Sequence, residues 1–155
     1  TGTENNVTFE CIVKLSANQT SRIFLSNYTQ ASSATGLGIG ISDSTTNKVK
    51  WFTGNLGTTN TLTSNTTLSN GVYYHVVGTY NGSSKVLYIN GTSEASATIT
   101  NGINITSAVA SVGYLRYPNN QYLNGEVPVA KIYNKALTAQ EVKQNFQGIR
   151  KRYGL

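Results

Sequence analysis

Two β-forming runs, Tyr73–Tyr80 and Lys85–Asn90, are separated by Asn81-Gly82-Ser83-Ser84. Asn and Gly tolerate the positive φ that tight turns demand, so YYHVVGTYNGSSKVLYING reads as an antiparallel hairpin. Asn90-Gly91 repeats the device at the far end of the second strand. Nearer the start, VTFECIVKL alternates: Val7, Phe9, Cys11, Val13 and Leu15 fall on one face, and Thr8, Glu10 and Lys14 on the other. That period of two marks a half-buried strand.

The same reading predicts strands at 22–27, 37–42, 48–53, 72–80, 85–90, 108–115 and 125–133, each bounded by Gly, Asn, Ser or Thr. Eight or so short strands with regular turn signals predict a two-sheet antiparallel sandwich. Residues 54–70 are low in complexity, but Leu56, Leu62 and Leu68 recur in them, which favours an ordered loop or an edge strand over disorder. One helix is predicted. Thr138-Ala139-Gln140-Glu141 forms a capping box, Val142, Phe146 and Ile149 follow at helical spacing, and Gly148 marks the expected stop. The helix is thus expected over 138–148, with a basic tail at 149–155.

Composition narrows the function classes. At 155 residues the chain is sized for one domain. It has 15 Ser, 21 Thr, 18 Asn and 15 Gly with only 12% charged residues, which excludes a coiled coil or helical bundle. No apolar run is long enough for a membrane helix, so no membrane insertion is expected. Residues 131–155 carry six cations against Glu141 alone, a local +5 within a total of +6, so the body is nearly neutral. The Arg150-Lys151-Arg152 run lacks the breadth of a nucleic-acid face and is read as a solvated or intersubunit tail. Cys11 is expected to be a buried free thiol. The chain opens on Thr1-Gly2-Thr3 without Met or a signal-peptide pattern, and is read as a mature or excised piece of a longer polypeptide.

Catalysis finds no support. The six acids are Glu4, Glu10, Asp43, Glu94, Glu126 and Glu141, and no two lie within five residues of each other, whereas retaining glycoside hydrolysis needs paired carboxylates. His75 is the only histidine, no Ser sits in a Gly-x-Ser-x-Gly elbow, and no Cys/His metal spacing exists. The chain is therefore read as non-enzymatic, with no cofactor required. Calcium would rest on the lone Asp43, too few carboxylates for more than weak binding.

Sugar binding suits the residues better. A carbohydrate site stacks an aromatic ring on a sugar's apolar face and hydrogen-bonds its hydroxyls. Tyr114, Arg116, Tyr117, Asn119 and Tyr122 offer those groups on one loop, and Trp51 is a further candidate ring. The competing reading is that these tyrosines cover the sandwich or face a partner subunit. Seven Asn-x-Ser/Thr sequons, at Asn6, Asn18, Asn27, Asn65, Asn81, Asn90 and Asn104, are candidate glycosylation sites.

The hairpin YHVVGTYNGSSKVLYING, the Gly-bearing SVGYL and then LNGEVPVAKIYNKALTAQEVKQNF together resemble the laminin G-like, concanavalin A-like jelly roll. The resemblance covers about Val72–Phe146, and Thr8–Leu15 is similar to an early strand of that family. It implies a jelly-roll sandwich with one closing helix and places His75 at a structural strand position. Tyr73 stands where the family usually has Trp, and Asn81 where it often has Asp. The strand expected before Val7 is missing, so an upstream segment or a strand donated by a neighbour would complete the sheet. The ending, Phe146 with Arg150-Lys151-Arg152-Tyr153-Gly154, is similar to the ends of lectin-like modules in phage and other viral structural proteins. The resemblance thus implies a surface module of a virion or extracellular fibre, displayed in many copies beside copies of itself, with glycan recognition as an added role. The alternatives are a free lectin-like domain and a glycosylated filament subunit that polymerises by strand donation.

Overall fold

A computed structural model describes residues 6–27, 36–42, 45–55, 58–99, 103, 109–115 and 121–155. Its strands are β1 (Val7–Leu15), β2 (Ile23–Ser26), β3 (Gly36–Ile41), β4 (Lys48–Asn55), β5 (Thr58–Thr67), β6 (Tyr73–Tyr80), β7 (Ser84–Ile89), β8 (Thr92–Thr98), β9 (Ser111–Val112), β10 (Tyr114–Leu115), β11 (Gln121–Tyr122) and β12 (Gly125–Tyr133). One helix, α1 (Ala139–Tyr153), follows. Sheet A has the order β12-β1-β6-β7-β8 and sheet B the order β5-β4-β3-β2-β9, while β10 and β11 form a separate small hairpin. All named pairings are antiparallel. This is the expected all-β, two-sheet antiparallel jelly-roll sandwich with one C-terminal helix.

The core follows from the alternation. Phe9, Cys11, Val13 and Leu15 of β1 meet Leu37, Ile39 and Ile41 of β3 and Val49 and Trp51 of β4, all buried. Burial also pushes the Cys11 thiol far up, so it stays protonated. Trp51 sets the local spacing. Its indole lies so close to Gly78 on β6 that a Cβ there would sit 2.4 Å from Trp51 Cδ2, hence the glycine in the YYHVVGTY strand.

The two sides of the sandwich differ. Along one, Glu94 of β8 clips the sheets together: Oε2 accepts from the Asn65 and Thr66 N–H groups at 2.9 and 2.8 Å, and Oε1 from the Thr66 hydroxyl at 2.8 Å. Along the other, β12 overhangs. Ile132, paired with Phe9 and so on the core-facing side, is 47% exposed, and Ala130 beside it is also exposed. The β12 edge carries Pro128, which lacks an N–H, and a register shift opposite Ile12–Lys14. Both features blunt edge-to-edge pairing.

Helix α1 differs from the expectation in length. It runs through Gly148 to Tyr153 and stops at Gly154, whose φ of 69° places it in the left-handed region. Gly148 is exposed, so it costs the helix only about 1 kcal/mol. That cost is offset beyond it, where the Tyr153 ring packs edge-on against Tyr73 at 5.1 Å. The Arg150-Lys151-Arg152 run is therefore the last helical turn rather than a loose tail, with its charges at the negative end of the helix dipole. The capping box forms as expected, with Thr138 accepting from Glu141 N–H and Glu141 accepting from Thr138 N–H.

Candidate functional site

The aromatic loop is positioned by the small β10–β11 hairpin. Tyr114 pairs with Tyr122, and their rings stack at 4.9 Å with 27° between planes. Gly113 N–H donates to Phe24 O of β2, and Leu123 N–H to Gly113 O, which ties the hairpin to the edge of sheet B. Leu123 packs on the core below. Tyr122 is left 66% exposed, so one ring face rests on Tyr114 while the other meets solvent. Arg116, Tyr117 and Asn119 lie outside the described residues, as do Asp43 and Asn104.

Trp51 is a correction. It is fully buried, tilted against Phe9 with centroids 5.5 Å apart, and its indole N–H donates to Thr79 O at 3.2 Å. It is a core residue and presents no ring to a sugar. Trp51 shares the inward face of β4 with Val49, so alternation along that strand assigns it to the core.

The sequons divide by what the side chains do. Asn6 and Asn18 are exposed, and Asn81 forms the β6–β7 turn, its Oδ1 accepting from the Ser83 and Ser84 N–H groups. Asn90 has φ 51° and its Oδ1 accepts from His75 N–H at 2.9 Å. Asn27 Oδ1 accepts from Leu37 N–H at 2.9 Å. Asn65 Nδ2 already donates to Glu94 O at 2.9 Å, so a glycan there would break part of the sheet clip.

Two buried ionisable groups emerge that the sequence reading does not single out. Glu10, on the outer face of sheet A under α1, accepts from Tyr133 Oη at 2.7 Å, Asn145 Nδ2 at 2.8 Å and Lys131 Nζ at 3.2 Å, and lies 3.3 Å from His75 Nε2. Burial works to raise its pKa, but the contacts with His75, Tyr133 and Lys131 outweigh it and hold the group at about 2. His75 stacks on Phe146 of α1 at 5.9 Å. The Glu10 and His75 side chains are 1% and 0% exposed, so the pair is sealed between sheet and helix and pins α1 in place. The signal for Glu10 was a charged residue in the middle of the most apolar strand.

Lys85 is the other. Its side chain crosses from β7 to sheet B, where Nζ donates to Trp51 O, Thr53 Oγ1 and Asn60 O, with no carboxylate partner among the described residues. Burial pushes its pKa from 10.5 to about 7. The unfolded chain thus binds this proton more tightly than the folded one, so stability rises with pH through that interval. Chemical denaturation is expected to show a gain of about 3 kcal/mol between about pH 7 and about pH 10. Lys85→Met should erase the rise; a variant keeping the wild-type slope would refute the assignment.

No group of three or more His, Cys, Asp or Glu that could hold a metal occurs among the described residues. No helix of the described residues is long and apolar enough to cross a membrane.

Comparisons with known proteins agree with this architecture. No curated protein matches the sequence. Among solved structures, a Bacteroides ovatus protein provisionally described as carbohydrate binding superposes with a TM-score of 0.69 and 16% identity over 91% of this chain. A heptameric SAP-like pentraxin of Limulus polyphemus gives 0.64 and 18% over 90% of this chain and 68% of its own. A botulinum neurotoxin type C structure, from a toxin whose cell entry depends on interaction with two ganglioside molecules, gives 0.68 and 16% over 94%. The chain spans only 40% of the first of these and 36% of the chain in the neurotoxin structure. At these identities the likeness is one of fold. A family model matches residues 1–143, and the chain belongs to the concanavalin A-like lectin/glucanases superfamily.

Proposed function

We propose that this chain is a non-enzymatic glycan-binding β-sandwich module whose sugar platform is the Tyr114–Tyr122 pair. The observation that carries the reading is the stacked, solvent-facing ring of Tyr122. An aromatic face braced from behind is a rigid support for the apolar side of a pyranose, and Arg116 and Asn119, which lie between the two tyrosines in sequence, carry donors of the kind its hydroxyls need. The lectin-like fold and the sugar-linked relatives support the same reading. Tyr122→Ala should lower affinity for the cognate glycan at least about tenfold, about 1.4 kcal/mol. Because Tyr122 is mostly exposed, its melting temperature should move little. A glycan array followed by calorimetry on the best ligand reads both; equal affinity in variant and wild type would sink the proposal.

The module acts, in this reading, on an extracellular or virion surface and in many copies, where weak single sites gain from multivalency. A second reading, assembly by strand donation, is favoured by one observation: Ala130 and Ile132 are uncovered on the core-facing side of β12. A donated strand would cover them, although Pro128 narrows where it can pair. Electron microscopy of the native material separates the two, since regular shells or fibres with β12 contacts favour assembly and isolated monomers favour the free lectin.

A further inference from the structure

Where α1 begins, the helix does not cover sheet A completely and leaves an open cleft of about 280 Å³. Its apolar part is Val86 and Tyr88 of β7 with Leu137 of the segment entering α1. Its polar part is Asn6, Thr79, Asn81, Ser84 and Thr138. The Asn81 Oδ1 is spent on the Ser83–Ser84 turn, whereas Asn81 Nδ2, Ser84 Oγ and the Asn6 amide have no hydrogen-bond partner among the described residues. No charged residue lines the cleft. The nearest carboxylate in sequence, Glu141, is turned away into the helix cap and onto Lys135. The space lies just below the range usual for small-molecule sites, so it suits a ligand no larger than a single sugar ring.

A cleft with an apolar wall, solvent-facing amide and hydroxyl groups and no charged side chain offers polar partners to a neutral ligand and no ion pair to a charged one. It suits a compact, neutral, polyhydroxylated molecule, whose ring carbons meet Val86 and Leu137 while its hydroxyls pair with Asn81, Ser84 and Asn6. The geometry points to a second glycan subsite here, one that takes a single neutral hexose or N-acetylhexosamine unit. It rests on the reading of the chain as a glycan-binding module but uses none of the same residues. Two separate sites would let one domain engage two glycan chains.

The test is NMR titration of the folded protein with galactose, glucose and N-acetylglucosamine, in wild type, Ala136→Phe and Tyr122→Ala. Phe at position 136 enters the cleft from the loop before α1. If it compromises folding by melting temperature, Ser84→Ala replaces it. Saturable shifts at the Asn81, Ser84 and Ala139 amides are expected for at least one sugar. They should weaken at least fivefold in the cleft variant and persist in Tyr122→Ala. Shifts confined to Tyr114 and Tyr122 would overturn the second subsite and leave the proposed function standing. Shifts confined to the cleft would support the subsite while moving sugar binding off the tyrosine pair. No saturable shift at either place with any sugar would overturn both.

Discussion

Trp51→Ala is expected to cost about 4 kcal/mol of folding stability, read as a shift in the denaturant midpoint with little change in slope. Among the described residues the indole is the largest fully buried side chain, it contacts Phe9, and it supplies a donor for Thr79 O. Truncation removes packing, opens a cavity and takes the indole donor away from that carbonyl. The complementary change tests the same contact from the other sheet. Gly78→Ala would place a methyl 2.4 Å from the ring, with backbone on one side and a locked indole on the other, and should cost about 3 kcal/mol through overpacking. A Trp51→Ala protein with wild-type stability and lost sugar binding would restore the ring to the glycan site and refute its place in the core.

Glu10 carries the second large effect. Glu10→Ala removes the acceptor shared by Tyr133, Asn145 and Lys131, and should cost about 3 kcal/mol while loosening α1 from sheet A. Hydrogen exchange in α1 should quicken more than in β3 and β4, which do not touch the network. The pH dependence has a defined sign. Folding holds Glu10 at about 2 against an ordinary value of 4.5, so the folded state binds its proton less readily than the unfolded chain. Its contribution is therefore complete above about pH 5 and is lost as pH falls toward about 2, a difference of about 3 kcal/mol. Glu141 titrates in the same window at the surface, so the difference between wild type and Glu10→Gln isolates the buried group. A variant as acid-sensitive as the wild type would show that Glu10 does not govern acid unfolding.

Both effects bear on what was legible beforehand. Val7–Leu15 and Gly125–Tyr133 were bounded correctly because alternation and turn residues are local, and the hairpin followed from Asn81-Gly82. The strand β8, Thr92–Thr98, was missed: its side chains are small and polar, and what makes it a strand is pairing with β7 and the Glu94 clip, both long-range. The helix end was misplaced by five residues for a similar reason, since Tyr153 finds Tyr73 only in the folded molecule.

The site shows the same division. Tyr114 and Tyr122 were chosen for their chemistry, and the hairpin register then brought them ring to ring. Trp51 was chosen on chemistry as well, but chemistry does not say which sheet face a ring occupies, and the close approach of Gly78 decided that. By itself the sequence determined the sandwich, its turns and the helix cap, because periodicity, turn chemistry and residue spacing are properties of neighbours along a chain. Only the tertiary structure decided which aromatic is exposed, which carboxylate is buried, which lysine is buried between the sheets and where a cleft remains. Each of those depends on residues far apart in sequence, brought together by burial of the core.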